Sequence, residues 1–261
     1  MSDRQWAVIE PLLPPPGNTG GRGGRAEKWD RRLILDAIFY VARGGIAWRQ
    51  LPSDFPPHPT VYWWFRKWTR AGVFTRVYAD LRERSRITEG RAPTPTAAVI
   101  DSQTVRGADT VSTQTAGYDA GKKTKGRKRH IATDTLGLLI AVVVTAASIQ
   151  DRDAAFRITA AARAVYSTIT LIWADGGYSG RFVTDAKKIW KNLMITVVKR
   201  PTEAKGFVLL RRRWVVERTF GWLVKHRRLV RDYERDPASH EALVWIAGTW
   251  QLSRRLARTS P

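Results

Sequence analysis

The chain of 261 residues has room for one large domain, or a small one beside a medium one. It carries 45 Lys and Arg against 23 Asp and Glu, a formal charge of +22, so the economical partner is a polyanion, nucleic acid first. It has no Cys, which excludes disulfides and thiolate metal sites; no apolar run approaches the ~20 residues of a spanning helix and no signal-peptide pattern opens it, so a cytoplasmic protein without a membrane partner is expected.

Residues 1–90 read as helical. Ser2 or Asp3 caps a short helix with Trp6, Ile9 and Leu13 inward, which Pro11 shortens. Residues 14–17 and 20–24 are rich in Pro and Gly and form a basic loop. Asp30 caps a second helix, with Leu33, Ile34, Ala37, Ile38 and Val41 at helical spacing and Gly44-Gly45 as its stop. Thr60 is the expected cap of a third helix. There Val61, Trp64, Phe65 and Trp68 make an apolar face, and Tyr62, Trp63, Arg66, Lys67 and Arg70 a basic, aromatic one. Such a face suits a helix that enters a DNA groove, so the first three helices read as a helix-turn-helix-like module. A fourth helix is expected over residues 74–86, and residues 88–95 as the linker.

Beyond the linker the period changes. Strands are expected at residues 96–103, 127–133 and 138–145, forming an antiparallel meander, with a loop at 106–126. A helix opens at Gln150-Asp151, a strand follows at 168–174, a helix at 182–191 and a strand at 194–198. A long helix over 211–231 and another over 240–256 close the chain. The order β-β-β-α-β-α-β-α describes an α/β domain with a mixed sheet covered by helices, residues 96–261, behind an all-α domain of residues 1–90.

Three acids fall at matching places in this order. Asp101 ends the first strand, Asp175 follows the fourth, and Glu217 sits early in the 211–231 helix. Each alone has an ordinary explanation: a turn acid, or for Glu217 an ion pair with Arg213. Together they gather where strand ends meet in an open α/β sheet. Three converging carboxylates call for cations, and an oxygen-only set suits Mg²⁺ or Mn²⁺. Two such ions clamp the attacking and leaving oxygens of a phosphoryl displacement. Gly221, one turn past Glu217, leaves room for a substrate. Asp151 and Asp153 read as helix caps, with Asp151 a candidate for an outer shell, and Asp134 as turn chemistry. His58, His130, His226 and His240 show no zinc spacing. The basic run Lys122, Lys123, Lys125, Arg127, Lys128 and Arg129 borders the first acid and is expected to hold phosphates, as are Lys225, Arg227 and Arg228.

With these residues in view, the chain resembles bacterial insertion-sequence transposases of the DDE type, specifically the short transposases of the insertion sequence five family. The resemblance rests on Asp101-Ser102-Gln103-Thr104, the segment from Gly117 to Lys123, Gly126-Arg127-Lys128-Arg129-His130, Asp134-Thr135-Leu136-Gly137, Ala174-Asp175-Gly176-Gly177-Tyr178 and Val216-Glu217-Arg218-Thr219-Phe220. Trp48-Arg49-Gln50-Leu51-Pro52 and the stretch from Gln5 to Pro14 look like that family's small DNA-binding domain. The resemblance implies a ribonuclease-H-like fold, with Asp101, Asp175 and Glu217 holding two Mg²⁺ ions that Mn²⁺ can replace. It also implies terminal inverted repeats and target DNA as partners, a homodimer on paired ends, and work at the bacterial nucleoid. The family's Tyr-x2-Arg-x3-Glu-x6-Lys signature is met at Arg213, a candidate DNA contact, and at Glu217; Leu210 and Val224 hold the Tyr and Lys positions, with Lys225 beside the latter. Two alternatives remain at this point: a non-catalytic DNA-binding regulator derived from a transposase, and a ribonuclease-H-like nuclease.

Overall fold

The computed structural model describes residues 1–17, 26–198 and 210–259. Four helices come first: α1 (Asp3–Ile9), α2 (Arg31–Gly44), α3 (His58–Arg70) and α4 (Val73–Thr88). Ser2 caps α1 through a reciprocal pair with Gln5, and the Asp30 carboxylate accepts the Arg32 amide of α2 at 2.7 Å. Gly45 ends α2 with φ 72, and a Cβ there would lie 2.7 Å from Cβ of Arg227, so both the backbone and the packing require glycine. The third helix starts at His58 rather than being capped by Thr60. Pro59 sits in its first turn, where a missing N–H costs nothing.

The rest of the chain is β1 (Ala97–Arg106), β2 (Gly117–Asp119), β3 (Thr124–Thr133), β4 (Leu139–Ala146), α5 (Asp151–Val165), β5 (Leu171–Ala174), α6 (Arg181–Ile189), β6 (Met194–Val197), α7 (Arg211–Leu223) and α8 (Pro237–Thr259). The sheet runs β2-β3-β1-β5-β6, with β4 also on β3. The pairs β1–β3 and β3–β4 are antiparallel; β1–β5 and β5–β6 are parallel. This is the mixed sheet of a ribonuclease-H-like fold behind a helical region. The expected loop at 106–126 contains β2, a three-residue strand that pairs with Thr124, Lys125 and Gly126 of β3. The helix expected over 211–231 stops at Leu223. Beyond it the Asp232 amide donates to the Arg106 carbonyl (2.9 Å) and the Ala108 amide to the Asp232 carbonyl (2.7 Å), which pulls the chain back to the end of β1.

Alternation along the strands sorts the side chains into two cores. Ala98, Ile100, Ile172 and Ala174 pack with α5 and α6. Val99, Ile131, Leu139 and Val144 face the other way, into a cluster shared by α7, α8 and the four N-terminal helices. There Tyr78 of α4 stacks on Trp245 of α8 at 5.2 Å, and Gln5 of α1 donates to Ser253 at 3.3 Å. Asp134 does more than make its turn: fully buried, it accepts the Leu136 and Leu138 amides and pairs with the buried Arg86. No helix of the described residues is long and apolar enough to cross a membrane.

Candidate active site

The register places the acids. β1 and β5 run parallel with Val99 opposite Trp173, so Asp101 and Asp175, each two residues further, come side by side; Asp175 follows the end of β5, whereas β1 runs on to Arg106 against β3, so Asp101 does not end its strand as expected. Both have the parity of Val99 and Trp173, which pack on the α7 side. From α7 comes Glu217. The Arg213 guanidinium, one turn before it, lies 3.4 Å from the Glu217 carboxylate and 3.8 Å from that of Asp175. Thus one cation touches two of the acids, and the charges of both act on the third. A Cβ on Gly221 would meet nothing within 4 Å, so the face beyond Glu217 is open.

Burial pushes the Asp101 carboxyl up to about 7, and the charges of Asp175 and Glu217 push the same way. The Ser102 amide, donating to Asp101 at 2.7 Å, and Arg213 oppose them. Ser102 has the opposite parity and faces α5, where its hydroxyl donates to Asp151 at 2.7 Å. Asp151 also pairs with Lys128 at 3.2 Å, and Lys128 reaches Asp119 at 3.7 Å and the Ile149 carbonyl at 3.0 Å. Tyr178, buried beside Ser102, has its phenol pushed well above the usual value by burial and by Asp101, Asp151 and Asp175. Asp151 is therefore a wall of the site as well as the first residue of α5. Its position just past a strand-following turn offers little hint of this; the hydroxyl next to Asp101 is the better signal.

The chemistry of the three acids fits a hard divalent cation, since they offer only oxygen donors and Asp101 becomes easier to ionise beside added positive charge. Among the described residues, no group of three His, Cys, Asp or Glu already surrounds a common ion position. Arg213 supplies the positive charge between Asp175 and Glu217 here.

The basic residues expected to hold DNA divide by burial. Lys122, Lys123 and Lys125 are exposed on the β2–β3 hairpin. Tyr62, Trp63, Lys67 and Arg70 are exposed along α3, with the Lys67 ammonium 4.8 Å from the Trp63 ring. Lys225 is exposed after α7. Four others are corrections. Arg127 is buried on Asp232 at 3.0 Å, Arg129 on Gln103 and the Leu229 carbonyl, Lys128 on Asp151, and Arg228 on Glu234 at 2.8 Å. They neutralise acids and carbonyls inside the fold and present no charge to a ligand. Burial lowers Arg129 to about 10, so it stays charged at neutral pH. Arg66 is partly covered and pairs with Asp236 before α8. Arg213 is turned to the acids.

Fold and cluster together define a ribonuclease-H-like protein with carboxylates converging at one sheet edge. The chain belongs to the DDE transposase family: the family model described as "Transposase DDE domain" matches residues 92–252, and "Putative transposase of IS4/5 family (DUF4096)" matches residues 1–78. It is similar to "Insertion element IS402 uncharacterized 16.2 kDa protein" of Burkholderia cepacia, 32% identical over 41% of this chain and 72% of that one. It is also 32% identical to "Putative transposase for insertion sequence element IS402" of the same organism, over 50% of this chain and 65% of that one. "Uncharacterized protein y4sN" of Sinorhizobium fredii is 32% identical over 31% of this chain and 62% of its own length. The chain thus spans about two thirds of the curated relatives it matches. Transposases of this family act on DNA and in general use divalent metal ions.

Proposed function

We propose that this transposase cuts the ends of its own insertion sequence and joins them to target DNA, with Asp101, Asp175 and Glu217 as the acid triad. The observation that carries this is the side-by-side position of Asp101 and Asp175 on parallel neighbours, with Glu217 sharing the Arg213 guanidinium with Asp175. Water attacks a phosphodiester at the element's end and releases a 3′ hydroxyl. That hydroxyl attacks a target phosphodiester, joins to its phosphate and displaces a target 3′ hydroxyl. The triad would hold two Mg²⁺ ions, or Mn²⁺ in their place, which lower the pKa of the attacking group and stabilise the leaving oxygen.

The chain's own residues do the rest. The Ser102–Asp151–Lys128 chain fixes the backbone that carries Asp101. Arg213 offsets the charge of Asp175 and Glu217 until DNA and ions arrive, and the open side at Gly221 admits the strand. Lys122, Lys123 and Lys125 grip phosphates beside the site. Residues 1–90 form the DNA-binding part, with Tyr62, Trp63, Lys67 and Arg70 facing the terminal inverted repeat, and residues 96–261 the catalytic part. Two copies act on paired ends, in the bacterial cytoplasm at the nucleoid.

Asp101→Asn, Asp175→Asn and Glu217→Gln are each expected to abolish metal-dependent nicking of a duplex carrying the element's end while still binding it. Full nicking by any one removes that residue from the triad. Joining of a labelled end to a plasmid separates transposition from simple nuclease action.

A further inference from the structure

A second basic surface lies away from both α3 and the β2–β3 hairpin. Where α7 ends against α2 and α8, a cavity of about 470 Å³ is lined by Arg43, Lys225, Arg254, Arg255 and Arg258, and by no acid. Among the described residues only Arg255 of these meets a carboxylate, that of Glu89. Trp250, Arg254 and Arg258 recur every four residues, so they line up along one face of α8. Trp222 and Trp250 supply the apolar walls, and the Arg43 guanidinium lies 5.1 Å from the Trp250 ring. A neighbouring cavity shares Arg43, Lys225 and Trp250 and adds Arg227. Its one acid, Asp36, is neutralised by the chain's N-terminal ammonium at 2.8 Å.

A second observation points to a ligand. His226, 6% exposed in the wall of this groove, rests its ring against the backbone of Trp222 and Leu223, and burial lowers it to about 4, so it is neutral and adds no charge to the groove. The Trp250 indole N–H is buried without a partner. A buried N–H donor without a partner is costly to keep unless an acceptor completes it, and exposed cations gathered on one face repel one another until an anion joins them.

We propose that this groove is a second DNA contact, which takes the phosphodiester backbone of the same duplex that reaches the acids. The inference rests on the transposase reading above. The scale suits it: the end of α7 lies about 9 Å along the helix axis from Glu217, at about 1.5 Å per residue, which is under three base-pair steps of about 3.4 Å. A duplex bound at the acids reaches the groove with its next few phosphates.

The test is the salt dependence of binding, by fluorescence anisotropy, of a labelled duplex taken from the DNA flanking the reading frame. The full-length triple variant Lys225→Gln/Arg254→Gln/Arg258→Gln changes exposed positions only, and a thermal melt verifies its fold. Every phosphate left without its cation lowers the slope of log K against log salt by about 0.9, so a reduction of about 2 to 3 is expected. The control variant Arg91→Gln/Lys187→Gln/Lys191→Gln, equal in charge and also exposed, is expected to leave the slope nearly unchanged. A folded groove variant that keeps the wild-type slope overturns the proposal, as does an equal fall in the control. So does loss of binding to phosphatidylglycerol vesicles with DNA binding intact, which would assign the groove to a membrane. These outcomes leave the transposase reading standing; a wild-type chain that binds no duplex removes both.

Discussion

Asp101→Asn is the most informative single change, because its effect on stability has a sign that few active-site substitutions share. The Asp101 carboxyl is held at about 7 by burial and by its acidic neighbours, against an ordinary 3.8. Between those values the folded chain binds more protons there than the unfolded chain. Stability therefore falls as pH rises from 3.8 to about 7 and is level above that. At about 1.4 kcal/mol per pH unit the full penalty is about 4 kcal/mol. Asp101 keeps part of its surface in water, so roughly half of that is expected. Asparagine has the same shape, keeps the acceptor for the Ser102 amide and carries no charge. In chelator at pH 8 the variant should be more stable than the wild type by about 2 kcal/mol, and the advantage should vanish near pH 4. Urea unfolding at several pH values measures this. Added Mn²⁺ should reverse the order, since only the wild type gains from ion binding, by about 2.7 kcal/mol at a hundredfold excess over Kd. A variant no more stable than the wild type at pH 8 refutes the view that these acids crowd one site at an energetic cost.

Three further outcomes are expected. Asp134→Ala leaves Arg86 charged and buried with no counter-ion, so urea unfolding should record a loss of about 3–5 kcal/mol. Gly248→Ala places a methyl 2.4 Å from Cε2 of Tyr78, and calorimetry should find a lower Tm, for a cost of about 1–3 kcal/mol. Changing Lys122, Lys123 and Lys125 together to Ala should weaken duplex binding most at low salt and leave the melting temperature nearly unchanged, as all three side chains are exposed.

The acid site was legible because strand chemistry fixes it. Val99-Ile100 and Trp173-Ala174 are apolar pairs each followed directly by an acid, and parallel pairing of Val99 with Trp173 sets the two acids side by side. The limits of α7 were not legible. Lys225, Arg227 and Arg228 continue a helix-compatible pattern, yet α7 stops at Leu223, and beyond it Asp232 exchanges backbone hydrogen bonds with the distant Arg106 and Ala108. β2 escaped notice because three residues carry too little periodicity. The buried cations were the larger surprise. The run from Lys122 to Arg129 reads as a phosphate-holding surface, yet in the strand expected from Arg127 onward Arg127, Lys128 and Arg129 are all buried. The acid that neutralises Arg127 lies about a hundred residues later, at Asp232, and no local pattern announces it.

The packing of α8 bears on how the protein is made. Val244, Trp245 and Ile246 complete a core begun by Ile38, Phe39 and Tyr78. The first helices to leave the ribosome must therefore wait for the last one before their apolar faces are covered. Until translation passes α8, those faces are open to chaperones and proteases. A chain that stops before α8 is expected to leave the apolar faces of α2 and α4 uncovered, so residues 1–90 alone are expected to be unstable.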